Sequence, residues 1–221
     1  MSRLGHDVTP EELRVAIERG VEELDQELPE GAAERMARLL LELARWNARV
    51  NLTAVRDVRE MVARHVLDSL VVRPFVKGSR VADIGTGAGF PGLPLAIAEP
   101  GVQVELLDRS AKKIAFVRHV IGELGLENAS AVQSAAESYA PAERFDTVLC
   151  RALAAIDRLA EMAGHLLVDD GVLLALKGQY PTAELRKLAD RPESWDYSVT
   201  ALAVPGLARH SRHVVILKRG T

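Results

Sequence analysis

The sequence predicts an α/β fold: a mostly parallel sheet preceded by a helical cap. From about Arg80, short apolar runs alternate with amphipathic helical patterns, which is typical of parallel strands joined by right-handed helical crossovers. Before that point only helical periodicity is present. Near the end, two β-rich runs are separated by too few residues for a helix. They should form an antiparallel pair that completes a seven-stranded sheet.

Size and composition fit one sizeable domain with a small appendage. The chain has 221 residues, of which 48% are hydrophobic and 27% charged, an ordinary globular composition. We place the cap at residues 1–75 and the sheet domain at 76–221. No apolar run approaches the ~18 residues that suggest a membrane span, and a signal-peptide pattern is missing. We therefore expect a cytoplasmic protein without membrane contact.

The cap should contain three helices. The run Thr9-Pro10-Glu11-Glu12 has the features of a capping box with proline in the first turn. Apolar residues then recur at helical spacing as far as Leu28. The other two helices are expected around residues 36–46 and over about 58–72.

The sheet domain alternates regularly. Helices are expected near 91–99, 111–125, 155–167 and 181–190. Strands are expected at 80–84, 103–107, 129–133, 145–150 and 171–176, followed by β-rich runs at about 196–203 and 213–218. Ligands of such sheets bind at the carboxyl ends of the strands.

A glycine-rich turn follows the first strand. The strand carries Asp83 near its end, and glycines then occupy alternate positions, Gly85, Gly87 and Gly89. Glycine allows a tight turn and a close approach of a ligand. The second strand ends in Asp108, whose carboxylate can accept hydrogen bonds from both hydroxyls of a ribose. The two features predict a pocket for an adenosine-containing cofactor.

The identity of that cofactor follows from the register of the glycines. Residues 87–92 fit the dinucleotide pattern GxGxxG, but there the strand should run straight into the first glycine, and here it already ends at Gly85. The carboxylate of Asp83 can accept a hydrogen bond from the amino group of a methionine moiety. The pattern therefore favours S-adenosyl-L-methionine over NAD. A glycine-rich turn in an unrelated α/β domain remains the alternative.

The fourth strand should deliver the reacting face. The Asn/Asp-Pro-Pro-aromatic run expected of an exocyclic-amine methyltransferase is absent, and Arg151 stands at the strand's end instead. Cys150 has no neighbouring proline that would suggest a cytosine-C5 nucleophile, so a buried apolar role is expected. A single cysteine excludes an internal disulfide and a multi-cysteine zinc site. We expect no metal.

Charge is unevenly distributed. The net charge is −3, but residues 1–30 sum to −6, residues 31–65 to +3 and residues 177–219 to +4. Two basic segments would suit a nucleic-acid partner. Solvated helix faces explain the same distribution, so charge alone does not decide.

An ordered series of motifs resembles the RsmG (GidB) family of bacterial 16S rRNA guanine-N7 methyltransferases. The resemblance covers nearly the whole chain beyond about residue 35. It implies a class I methyltransferase fold, S-adenosyl-L-methionine as donor, and 16S rRNA in the small ribosomal subunit or its precursor as substrate. Separately from the resemblance, we expect a monomer. The motifs are Trp46-Asn47-x3-Asn51-Leu52-Thr53, Arg64-His65-x2-Asp68-Ser69, Asp83-x-Gly85-Thr86-Gly87-x-Gly89-x-Pro91-Gly92, Arg151-Ala152, Leu176-Lys177-Gly178-Gln179 and Arg212-His213.

The resemblance also implies roles for single residues. The donor contacts it implies are Gly85, Phe90, Ala136, Glu137 and Arg151, which join Asp83, Gly87, Gly89 and Asp108 from the pattern itself. Arg151 and Lys177 are the expected catalytic residues. The expected RNA contacts are Arg64, Lys177, Arg209 and Arg212. Ala135 departs from the family, which often has arginine there, so Arg209 or Arg212 would have to replace it.

Two polar sets in the cap have two interpretations of equal weight, the pair Asn47/Asn51 and the group Arg64/His65/Asp68. They could contact RNA. They could equally fix loops through asparagine hydrogen bonds and an i,i+4 pair of Arg64 with Asp68, and so attach the cap to the sheet domain.

The expected chemistry needs few groups. Guanine N7 has a free lone pair and no proton to lose, so its methylation requires neither a general base nor a metal and depends chiefly on positioning. The ring gains positive charge, so Arg151 is expected to act from the side. The alternatives are a small-molecule methyltransferase on the same fold, which the low aromatic content of 4% disfavours, and a nucleotide- or RNA-binding module without catalysis.

Overall fold

The structure, a computed structural model, describes residues 8–190 and 195–220. Residues 1–7 of the predicted cap lie outside the described residues. The strands are β1 (Arg80–Ile84), β2 (Gln103–Asp108), β3 (Ala129–Gln133), β4 (Phe145–Arg151), β5 (Leu167–Lys177), β6 (Trp195–Ala201) and β7 (His213–Arg219). The helices are α1 (Pro10–Glu23), α2 (Ala32–Val50), α3 (Val58–Met61), α4 (Asp68–Leu70), α5 (Gly92–Ala98), α6 (Ala111–Leu124), α7 (Ile156–Ala163) and α8 (Thr182–Ala189).

One seven-stranded sheet runs through the molecule in the order β3-β2-β1-β4-β5-β7-β6. Strands β1 to β5 are parallel, and β7 is antiparallel to both β5 and β6. The predicted parallel sheet with an antiparallel end is therefore confirmed. Parallel register brings the carboxyl ends of β1, β2 and β4 to a common edge.

Helices cover both faces of the sheet. Helices α1, α2, α5 and α6 share one hydrophobic cluster with one face, whereas α7 and α8 pack on the other. Leu13 of α1 and Leu39 of α2 belong to the same cluster as Leu106 of β2 and Leu149 of β4. The cap helices and the sheet thus share a continuous core, and the boundary at residue 75 stays a prediction.

Several boundaries differ from those expected. Helix α1 begins with the predicted capping box, in which the amide of Glu12 donates to Thr9 Oγ1 at 3.1 Å, but it ends at Glu23, five residues before Leu28. Helix α7 also ends early, and a 3₁₀ turn at Gly164–Leu166 leads into β5 at Leu167 instead of 171.

The third predicted cap helix is not uniform. Between α3 and α4 the chain forms a π-helical turn, Val62–Leu67, which contains His65. Turns of this kind occur often at functional sites. Within the described ranges, no helix is long and apolar enough to cross a bilayer.

Candidate active site

A cavity of about 360 Å³ lies at the carboxyl edge of β1, β2 and β4. Its walls come from the glycine turn, the ends of β2 and β4, the 3₁₀ turn after β3, and two parts of the cap. The residues that line it include Leu52, Thr53, His65, Gly85, Thr86, Gly87, Ala88, Phe90, Asp108, Arg109, Lys113, Ser134, Ala136, Glu137, Arg151, Ala152, Leu153 and Met162. Most of the predicted donor contacts therefore meet in one place.

The glycine turn requires left-handed backbone at three positions. Gly85, Gly87 and Gly89 have φ values of 66°, 62° and 89°. A Cβ at Gly85 would lie 2.7 Å from Leu153, whereas one at Gly87 would meet only the carbonyl oxygen of Gly85 at 3.9 Å. Gly87 therefore leaves open space in the pocket wall that any side chain would fill. Gly89 does not line the cavity and instead packs against Leu93.

Asp83 lies beneath this turn and is fully buried. Its Oδ2 accepts hydrogen bonds from Thr86 Oγ1 at 2.5 Å and from the amide of Gly92 at 2.8 Å. Burial raises the pKa of this carboxyl to about 6. Asp83 is not part of the cavity wall, so it supports the turn from below. This position differs from the direct contact with a methionine amino group that we expected.

Asp108 lines the cavity at the end of β2, where its Oδ2 accepts from the amide of Gly87 at 3.0 Å and its Oδ1 accepts from the amide of Ser110 at 2.8 Å. Lys113 Nζ is 3.5 Å away. Lys113 thus gives Oδ2 a second donor, whereas among the described residues Oδ1 accepts from the amide of Ser110 alone. A carboxylate oxygen offers two lone pairs, so Oδ1 retains capacity for a ribose hydroxyl.

The 3₁₀ turn Ala136–Ser138 forms the wall next to Asp108. Glu137 pairs with Arg109 at 2.5 Å across the rim of the cavity. This contact lowers the pKa of Glu137. The predicted pair Ala136 and Glu137 thus lies beside the end of β2, where an adenosine would extend.

The cap closes the cavity with a neutral histidine. His65 Nδ1 faces the carbonyl of Arg64 at 3.1 Å, which can only accept, so this nitrogen carries the proton and Nε2 accepts from Thr53 Oγ1 at 3.0 Å. The imidazole stacks on Phe90 with ring centroids 4.8 Å apart. Burial, with Arg151 as a second cause, lowers the pKa of His65 to about 4.

Arg151 enters the cavity wall from the end of β4 and is held from the side. Its Nη1 donates to Asp68 Oδ2 at 3.2 Å and to the carbonyl of Arg64 at 3.3 Å, and its guanidinium lies 5.7 Å from the centroid of the Phe90 ring. Asp68 also accepts from Arg212 Nε at 2.6 Å. One buried carboxylate therefore joins two of the predicted functional arginines.

The other predicted basic residues lie outside the cavity wall. Lys177 Nζ pairs with Glu184 at 2.7 Å and donates to the carbonyl of Ala154 at 2.8 Å. Arg64 pairs with Glu60 at 3.3 Å, so the predicted pair of Arg64 with Asp68 is not formed. Arg209 is exposed in the loop before β7 and has no side-chain partner in the described part of the chain.

Lys177 acts on the loop after β4 rather than on the cavity itself. Its partner Glu184 also accepts from the amide of Ile156 at 2.9 Å, so the pair fixes both ends of the segment 154–156. The preceding Ala152 and Leu153 line the cavity, and Ala152 has φ 53°, a costly conformation for a residue with a side chain.

Sequence reasoning missed the bridging role of Asp68 and the contribution of Arg109, Lys113 and Met162 to the wall. The signal for Asp68 was its place in a motif twelve residues before β1. Its partners lie 83 and 144 residues away, beyond the reach of local patterns.

The sheet order, the glycine turn and Asp108 define a class I methyltransferase fold of the S-adenosylmethionine-dependent type. The glycopeptide N-methyltransferase MtfA complexed with (S)-adenosyl-L-methionine matches with a TM-score of 0.61 at 15% identity, over 71% of this chain and 88% of that chain. Precorrin-6y C5,15-methyltransferase from Geobacter metallireducens GS-15 matches with a TM-score of 0.51 at 14% identity, over 76% and 91%. At these identities the likeness concerns the fold alone.

Sequence comparison gives the family. A model for GidB, rRNA small subunit methyltransferase G, matches residues 32–215, and the chain belongs to this family. Ribosomal RNA small subunit methyltransferase G of Stenotrophomonas maltophilia (strain K279a) is 44% identical over 207 residues, 93% of this chain and 95% of that protein. The protein of the same name from Alkalilimnicola ehrlichii is 46% identical over 201 residues, 90% of each.

Proposed function

We propose that this protein transfers the methyl group of S-adenosyl-L-methionine to N7 of a guanine in 16S rRNA, within the small ribosomal subunit or its precursor. Family and fold make it an rRNA methyltransferase that uses this donor. One observation supports the finer assignment. Arg151 is held to the side by Asp68 next to an uncharged His65, an arrangement that suits an acceptor which loses no proton and becomes positive.

The residues present fit the donor. The open space at Gly87 admits a ligand against the backbone, and Asp108 Oδ1 keeps a lone pair for a ribose hydroxyl. Ala136 and Glu137 would meet the adenine, and Phe90 with Gly85 would lie along the methionine part. Asp83 would act through the turn that it supports. When bound, the donor supplies an electrophilic methyl group on its sulfonium.

The protein's part in the reaction is positioning. The N7 lone pair of guanine attacks the methyl carbon in line, the carbon–sulfur bond breaks with its electrons going to sulfur, and no proton moves. His65 stays neutral, so it adds no charge beside the ring as the ring becomes positive. Lys177 would contribute by fixing the loop that carries Ala152 and Leu153.

The RNA would approach along the basic residues at the mouth of the pocket. Arg209, which is exposed and has no side-chain partner among the described residues, would meet a phosphate, and Arg64 and Arg212 expose part of their side chains. Phosphate contacts make binding fall steeply as salt rises, whereas a small neutral acceptor would hardly respond. We place the protein in the cytoplasm as a monomer.

The decisive experiment transfers labelled methyl from the donor to small ribosomal subunits from a strain that lacks this gene, followed by nucleoside analysis of the 16S rRNA. We expect 7-methylguanosine. Another methylated nucleoside, or incorporation that does not change with salt, would reject the proposal.

A further inference from the structure

Asp68 lies where three distant segments meet. It begins α4, its side chain is 6% exposed, and its two oxygens face different arginines. Oδ2 lies 3.2 Å from Arg151 at the end of β4, and Oδ1 lies 2.6 Å from Arg212 just before β7. The first arginine lines the cavity, and the second borders a separate surface groove formed mainly by residues 201–213. The carboxylate therefore joins the pocket wall to the loop before β7.

We propose that Asp68 is a positioning residue for methyl transfer, which holds Arg151 beside the pocket and Arg212 at the RNA-facing rim and offsets their charge. The proposal rests on the proposed function.

Geometry explains why Arg151 depends on this carboxylate. The guanidinium has two acceptors, Asp68 and the carbonyl of Arg64, and one flat contact, the Phe90 ring. Arg64 itself sits in the π-helical turn that leads into Asp68. Loss of the carboxylate leaves the charged group with a single 3.3 Å acceptor, free to turn toward the pocket.

The charge of this cluster predicts that loss of Asp68 affects methyl transfer and RNA binding in opposite directions. Two guanidinium groups share one carboxylate, so the cluster carries one net positive charge. Removal of the carboxylate raises the net charge of the cluster to two, next to the place where the guanine ring becomes positive. Like charges that are close together and partly buried repel each other appreciably, so methyl transfer should slow. The same added charge attracts RNA phosphates. A merely structural defect would weaken both.

The chain offers a matched control. Arg73 and Glu99 also form an ion pair between the cap and the sheet domain, with Nη2 2.6 Å from Oε1, and neither residue lines the cavity. Glu99→Gln removes one carboxylate from an arginine, as Asp68→Asn does, at a distance from the pocket. It should leave both the rate and the salt dependence unchanged.

The test measures kcat, KM for the RNA substrate, and the salt dependence of RNA binding for the wild type, Asp68→Asn, Asp68→Glu and Glu99→Gln. For Asp68→Asn we expect kcat to fall at least about tenfold, KM not to rise, and the slope of log affinity against log salt to steepen by about 0.7 to 0.9. Asp68→Glu should restore the wild-type slope and part of the rate. The double variant Asp68→Asn/Arg212→Gln should restore the slope but not the full rate, because Arg151 still lacks the carboxylate that holds it.

Each alternative result overturns the proposal. A wild-type kcat in Asp68→Asn does so, and so does a parallel loss of rate and RNA affinity that Asp68→Glu shares. If Asp68→Asn does not fold, Asp68→Glu and Arg212→Gln decide by the same two readouts. If the wild type itself fails to methylate 16S rRNA, the proposed function falls. In that case the positioning role of Asp68 is tested by binding of S-adenosylhomocysteine. The role is supported only if Asp68→Asn weakens this binding at least about threefold more than Glu99→Gln does.

Discussion

At the scale of single residues, Gly87 and Gly125 form a matched pair. Their φ values are 62° and 61°, and a Cβ at either position meets no atom closer than 3.9 Å. Alanine should therefore cost each about 1 kcal/mol of stability, from left-handed backbone alone. Only at Gly87 does the added methyl enter the pocket. We expect Gly87→Ala to weaken binding of S-adenosylhomocysteine at least about tenfold, measured by calorimetry. Equal binding by both variants would place the donor elsewhere.

Arg80 provides a control position for Arg151. Each guanidinium lies over a phenylalanine ring, at 5.7 Å from Phe90 and 5.6 Å from Phe145. Arg151→Ala removes the side chain that packs against Phe90 in the pocket wall, and loss of this positioning contact should lower methyl transfer at least about tenfold. Arg80→Ala loses a similar contact away from the pocket and should transfer methyl at the wild-type rate. Unchanged transfer and unchanged donor affinity in Arg151→Ala would remove Arg151 from the site.

Two buried groups make folding stability depend on pH in opposite directions. Asp83 holds its proton more tightly when folded, with a pKa of about 6 against 3.8, so its contribution to stability is full below pH 3.8 and is lost as pH rises through 6. His65 has a pKa of about 4 against 6.5, so its contribution is full above pH 6.5 and is lost as pH falls through 4.

Asp83→Asn removes one of these two dependences. Between pH 7 and pH 4, the wild type should gain about 2 kcal/mol in free energy of unfolding relative to this variant. Urea titrations at the two pH values measure the difference. If the free energies of unfolding of the wild type and Asp83→Asn differ by the same amount at both pH values, the raised pKa of Asp83 is contradicted.

At the scale of elements, the loop after α2 depends on Asn47. This buried side chain donates to the carbonyl of Thr53 at 2.9 Å and accepts from its amide at 2.9 Å. Asn47→Ala leaves half-buried backbone groups of Thr53 without this partner and should cost about 1 kcal/mol. Hydrogen exchange should accelerate at Thr53, which lines the pocket. A loss below about 0.5 kcal/mol would indicate that the loop is held otherwise.

Elements were predictable where a local signal exists. The capping box at Thr9 and the alternation of strands with helices are visible in the sequence. The early end of α7 and the π-helical turn at Val62–Leu67 are not, because they depend on tertiary packing that periodicity does not encode. The same holds in the site. Spacing indicated Asp108 and the glycines, whereas the partners of Asp68 and Lys177 depend on contacts between remote segments.

At the scale of the whole molecule, the shared core predicts one cooperative transition. The chain has two tryptophans, Trp46 and Trp195. The first lies 5.6 Å from Phe116 on the cap side, and the second packs on the opposite face. Single-tryptophan variants, Trp46→Phe and Trp195→Phe, should show coincident urea transitions by fluorescence. Separate midpoints would show that the cap unfolds by itself and would favour a domain boundary near residue 75.

The position of β7 has a consequence for synthesis of the protein. This strand is last along the described chain, yet it lies between β5 and β6. While a nascent chain still has residues 213–219 inside the ribosomal exit tunnel, β5 presents an open hydrogen-bonding edge and its apolar flank is bare. Such edges promote aggregation. The sheet around β5 is therefore completed only after translation has passed β7, and chains that stall earlier would expose this edge.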